Sequence, residues 1–153
     1  MFKYKSSPIV MAILLGFVAV FVIIVYQSSK KEILQNDKTI KNNIVFSGII
    51  TNLNVSGNHA FGILQLKIIE TNNNSFNFNT QNYIFPYKIK DSIAEIYTHI
   101  SIPEIEKGYK VVVNSNNKTI TVFDGDKFLY EWDIYFVKEN RDINFVKENT
   151  IFK

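Results

Sequence analysis

The spacing of hydrophobic positions changes twice along the chain. From Ile9 to Tyr26 they are continuous, and the run contains no charged side chain. Its roughly 18 residues, at about 1.5 Å rise each, span about 27 Å as a helix, close to the ~30 Å hydrocarbon core of a bilayer. Leu14, Leu15, Gly16, Phe17, Phe21 and Ile24 lie within it, and every face of such a helix is apolar. Ser6 and Ser7 suit its cap, Pro8 its first turn, and Tyr4 and Tyr26 the headgroup level at its two ends. A cleaved signal peptide would carry a shorter apolar region, ~7–15 residues, ending in a small-x-small site. The residues after Tyr26 offer no good site of that kind, so the expectation is a retained transmembrane helix over 9–26. Ala12 and Gly16, four apart, form a small-residue pair suited to close packing of a second helix.

Residues 1–8 form a short flank, and residues 27–43, polar and lysine-rich, read as the helix end and a linker. From Ile44 the period becomes two. Strand-like stretches run over 45–55 (with Gly48 as a bulge or close-approach point), 60–71, 76–80, 83–87, 109–114, 119–123, 127–132 and 134–137. Turn-forming Asn, Ser, Asp and Gly separate them, and Asp124-Gly125 suits a type I′ hairpin. Pro86 points to an edge position. Between these strands the period turns helical: Ser92 and Glu95 make a capping-box pattern, Ile93, Ile96 and Ile100 follow at i, i+3 and i+7, and Pro103 ends the segment. Residues 142–152 read as a last strand or a docked tail. Residues 44–153 are thus expected to form one mainly β domain, a small antiparallel barrel or sandwich with one short helix.

Charge removes one class of function. Of 17 basic residues, Lys3, Lys5 and Lys30 flank the apolar run, and the other 14 balance the 14 acidic residues of the body. A nucleic-acid-binding surface needs a cationic surplus, so no nucleic-acid partner is expected. The chain has no cysteine, which excludes disulfides, thiolate metal sites and a cysteine nucleophile. No phosphate-binding loop, dinucleotide fingerprint, metalloprotease motif or nucleophile elbow occurs, and no catalytic residue, metal or cofactor is expected.

The remaining candidates weigh towards structure. Asp91, Glu95 and His99, four apart, would share the solvated face of the expected helix. His59 follows a Ser-Gly-Asn turn, and Asp124 and Asp126 flank the hairpin glycine. Aromatics are plentiful at 14% of the chain, and those of the sheet that do not fill a core would form a binding face. Phe76, Phe78, Tyr83, Phe85, Tyr130 and Trp132 are the candidates.

Ser47-Gly48-Ile49-Ile50, Gly57-Asn58-His59 before a strand, Asp91-Ser92-Ile93 and the hairpin around Asp124-Gly125 together cover about half of the body. In these stretches the chain resembles small membrane-anchored β-barrel proteins of unknown function common in Bacteroidota. Lys90 stands where that pattern has glycine, and residues 94–107 read as a helical insertion. The resemblance implies an OB-like barrel and brings no catalytic residues. Anchor, neutral body and missing catalytic motifs lead to one expectation: a non-enzymatic, single-pass protein of a bacterial inner membrane, with its domain on the periplasmic side. It would serve as an accessory or assembly subunit with protein partners. The alternative is a tethered binding module for a peptide, glycan or envelope component.

Overall fold

The computed structural model describes residues 8–57, 61–78, 80, 82–99 and 105–152. Two compact units divide the chain, Met1–Thr39 and Ile40–Lys153. The first is a single helix, α1, spanning Pro8–Ile40 without a break. Its 33 residues rise about 50 Å. The helix continues through most of the segment expected as a linker. Gln27 to Ile40 contains no Gly or Pro and is rich in Gln, Lys, Glu and Leu, which lose little side-chain freedom in a helix.

The second unit is mainly antiparallel sheet. Its strands are β1 (Val45–Val55), β2 (Phe61–Thr71), β3 (Ser75–Phe76), β4 (Tyr87–Lys90), β5 (Ile93–His99), β6 (Lys110–Asn114), β7 (Thr119–Asp124) and β8 (Lys127–Asp133). They form one eight-stranded sheet in the order β3-β4-β5-β2-β1-β6-β7-β8. The sheet curls on itself: Trp132 of β8 donates from Nε1 to Thr98 Oγ1 of β5 at 2.9 Å, and Val137 bridges Ile84. Among the described residues no ladder joins β8 to β3, so the roll stays open rather than closing into a barrel.

Alternation along each strand sends one set of side chains inward. Phe46, Ile50, Leu64, Leu66, Tyr87, Ile89, Ala94, Ile96, Val111, Val113, Ile120 and Val122 meet in the main core. Ile40 and Ile44, which precede β1 in this second unit, also belong to it. A second core lies on the other face, where Phe61, Ile63 and Tyr97 pack against Val137 and against Ile143 and Val146 of α2 (Asn140–Asn149). That helix covers one end of the outer face of β2 and β5.

Gly48 acts as expected. The β1–β2 register shifts between Ser47 and Gly48, and a Cβ on Gly48 would lie 2.7 Å from the Lys67 carbonyl oxygen. The Asp124–Lys127 hairpin also forms. Only Gly125 of its two central residues has positive φ, at 58°, which fits a type II′ turn rather than the expected type I′.

Several expectations are corrected. Residues 93–99 are strand β5 and not a helix, so the expected helical insertion over 94–107 does not start at Ala94, and residues 100–104 of it lie outside the described residues. Asp91, at φ 57°, and Ser92 instead form the two-residue turn that hairpins β4 into β5. Ile93, Ile96, Tyr97 and Thr98 are β-branched or aromatic, and pairing on both sides of β5 overrides the capping-box pattern. The C-terminal stretch is not a last strand; it docks on the sheet as helix α2, with the residues after it held against Glu95. Residues 134–137 add one bridge rather than a continuing strand. Of the expected 76–80 strand, Phe76 alone among the described residues pairs in a ladder, and Pro86 directly precedes β4, where its missing N–H costs no ladder bond. Residues 1–7, His59, Ile100 and Pro103 lie outside the described residues.

Candidate functional site

Helix α1 carries a continuous exposed apolar surface. Leu14, Leu15, Phe17, Phe21, Ile24 and Tyr26 are all exposed, Phe17 to 73%. No part of its most apolar stretch is buried against the protein. The side chain of Ile9 lies outside the described residues. A soluble protein rarely leaves so continuous an apolar surface in water. The helix is long and apolar enough to cross a membrane or to serve as a signal sequence. A Cβ added at Gly16 would meet nothing within 4 Å, so the small Ala12–Gly16 pair faces open space.

The second feature is a buried carboxylate that the sequence pattern placed in solvent. Glu95 is 0% exposed. It lies on the outer face of β5, in the stretch closed over by the C-terminal residues. Its Oε1 accepts from Gln65 Nε2 at 3.2 Å and from the Ile151 backbone N–H at 3.1 Å. Its Oε2 accepts from the Tyr97 hydroxyl at 2.9 Å and from the Thr150 hydroxyl at 2.5 Å. Four donors thus occupy the four acceptor positions of one carboxylate. Burial, and then the Glu95 charge, push the Tyr97 phenol well above its ordinary range. The expected Asp91–Glu95–His99 face does not exist: Asp91 sits in the turn, Glu95 is enclosed, and His99 ends the strand with its ring 5.4 Å from that of Phe61. Among the described residues no three His, Asp or Glu side chains group to hold a metal ion. The Glu95 node is already saturated by the protein's own donors, so it acts as a clasp for the chain end.

The aromatic candidates divide. Phe76, Phe78, Tyr83 and Phe85 do come together, with ring centroids 4.8 Å apart for Phe76–Phe85 and 5.4 Å for Phe78–Phe85. Tyr83 continues the chain of rings to Phe136 at 4.5 Å. Phe85 is fully buried, and the other three are half-buried against the main core. Tyr130 and Trp132 are also half-buried, on the inner side of β8 opposite Val122 and Ile120. Alternation puts them inside, so the six do not share one outward face.

The described residues also form concavities. A cleft of about 180 Å³ is lined by Phe61, Thr98, His99, Tyr135 and Asp142 among others. That is below the ~300–1,000 Å³ of ordinary small-molecule sites. A larger groove of about 650 Å³ is lined by Ser75, Phe76 and Asn77, by Lys88, Ile89 and Lys90 of β4, and by Ile151 and Phe152. The sequence pattern did not single out these lysines. Their spacing of two in an apolar strand is the signal that places them on one face. Ile151 and Phe152 come from the far end of the chain, which no local pattern reveals.

No protein-family model matches this chain, and no curated protein or solved structure matches it.

Proposed function

We propose that this is a single-pass membrane protein in which α1 is a retained anchor and the β domain is a non-enzymatic accessory or assembly module. The observation that carries the reading is the exposed, uncharged surface of α1 from Val10 to Tyr26, apolar on every side. Lipid is the solvent that such a surface matches. Lys3 and Lys5 before the helix favour a cytoplasmic N-terminus. Lys30, Lys31, Lys38 and Lys41 after it count the other way, but large domains cross largely regardless of flanking charge, so the domain is read on the periplasmic side of a bacterial inner membrane. The small-residue pair Ala12 and Gly16 suits the approach of a partner's helix. Purification in mild detergent at native expression should bring down stoichiometric membrane partners. Recovery of a lone monomer would defeat the assembly role.

The groove beside β3 favours a second reading, a tethered binding module. Its two lysines, with the half-buried Phe76 and the exposed Ile151, suit an extended acidic peptide. Lys88→Glu/Lys90→Glu would abolish capture of such a ligand and leave partner recovery through α1 unchanged.

A further inference from the structure

Helix α2 and the residues that follow it cover one end of the outer sheet face and close over Glu95. Beside them, on β4, β5, β2, β1 and β6, the registers set out a single row in which Lys90, Ile93 and Lys67 are exposed and Ile49 and Lys110 are half-buried. Lys90 lies opposite Ile93, Ile93 opposite Lys67, Lys67 opposite Ile49, and Ile49 opposite Lys110. Strands lie about 4.8 Å apart, so lysine recurs about every 10 Å with an isoleucine between each pair. Ile93 is 41% exposed. Beside the row, Ile69 is the extra residue of the β2 bulge, left without a β1 partner and 54% exposed. Among the described residues the side chains of Lys67, Lys90 and Lys110 make no ion pair or hydrogen bond.

We propose that this row is a docking face for anionic phospholipid headgroups. Three unpaired ammonium groups offer partners to lipid phosphates, and their aliphatic stems lie along the intervening isoleucines. Ile49, Ile69 and Ile93 supply hydrocarbon that enters the headgroup–acyl boundary. A soluble polyanion offers the phosphates but nothing for the isoleucines, which is why the row fits a lipid surface better. The proposal rests on the reading of α1 as a membrane anchor. A tethered domain meets the headgroups at high effective concentration, so a face of three lysines suffices where it would not hold a free protein.

The chain has no cysteine, so Ile93→Cys gives a single labelling site for an environment-sensitive dye, with Tyr135→Cys, 68% exposed at the parent residue, as the control. The full chain is reconstituted into vesicles of phosphatidylcholine alone or with a third phosphatidylglycerol, each carrying brominated acyl chains. The expected result is at least threefold stronger quenching at position 93 in the anionic vesicles and no such difference at position 135. Lys67→Glu/Lys90→Glu/Lys110→Glu, confirmed folded by an unchanged Tm, should abolish the difference, whereas Lys→Arg at the same three positions should keep it. Equal quenching at position 93 in both vesicles overturns the proposal, as does loss of the difference on adding a soluble polyphosphate at physiological salt. Flotation with both kinds of vesicle after a carbonate wash reads the anchor separately. Flotation without selective quenching removes the docking face alone, and failure to float removes anchor and face together.

Discussion

The Thr150 hydroxyl donates a hydrogen bond to Glu95 Oε2 across 55 residues of sequence, tying the end of the chain to a central strand of its sheet. Ile151 adds a backbone N–H to the other oxygen of the same carboxylate. Removing the acceptor strands several buried donors at once, and each stranded donor costs about 1–3 kcal/mol. Glu95→Gln keeps the volume but turns an amide NH₂ towards donors. It should destabilise the domain by about 3 kcal/mol in urea unfolding, and Thr150→Ala by about 1 kcal/mol. A Glu95→Gln midpoint equal to that of the parent would show that the clasp contributes nothing.

Stability should fall at alkaline pH through two buried phenols. Burial pushes Tyr87 from its ordinary value near 10 up to about 12, and pushes Tyr97 up as well. A phenol with a raised value in the folded state stabilises fully below pH 10, where both states are protonated. Between about pH 10 and 12 the unfolded chain loses its proton and the folded chain keeps it, so that contribution disappears. For Tyr87 the loss is about 2–3 kcal/mol. Tyr87→Phe should flatten this part of the curve while costing about 1 kcal/mol at neutral pH, since the hydroxyl donates to Asn42 Oδ1 at 2.9 Å. Equal alkaline slopes in the two proteins would contradict the assignment.

Adjacent positions on β1 should respond with opposite signs. Gly48→Ala forces a methyl to 2.7 Å from the Lys67 carbonyl oxygen and must move the β1–β2 pairing, a loss of about 2 kcal/mol. Ser47 is buried and its Oγ has no hydrogen-bond partner, so Ser47→Ala removes a desolvated hydroxyl and should be neutral or stabilising by up to about 1 kcal/mol. Thermal melts of the two variants decide it, and a shift of the same sign in both would contradict the packing described.

The only tryptophan reports on the curl of the sheet. Trp132 Nε1 donates to Thr98 Oγ1 at 2.9 Å between strands that share no ladder. Thr98→Val keeps the shape and removes the acceptor. Its emission should shift measurably and its stability drop by about 1 kcal/mol. Identical emission would mean that the two strands do not meet.

Several strands were legible because their surroundings are uneven. β6 and β7 alternate between the core and a wetter face, and that alternation survives in the residue types. β5 defeats the same test. Ala94 and Ile96 enter the main core while Glu95 and Tyr97 are covered from the other side, so both faces are buried and no period of two remains. Chance spacing of isoleucines then imitates a helix. Glu95 reads as a solvent residue because three of its four partners, Gln65, Thr150 and Ile151, lie 30 to 56 positions away. In α2, Ile143 and Val146 do carry a helical spacing, but over ten residues it is too short to stand apart from a strand. The Lys–Ile row is invisible for a related reason: each member sits on a different strand, and only the registers align them.

The account depends most on α1 remaining in the mature chain and lying in lipid. Its most direct test is fractionation of cells expressing the untagged protein, with a high-pH carbonate wash and mass determination of the product. The intact chain, with Val10 to Tyr26 still attached, should stay in the membrane pellet. A shortened polypeptide starting after Ser29 and released into the wash would contradict the account.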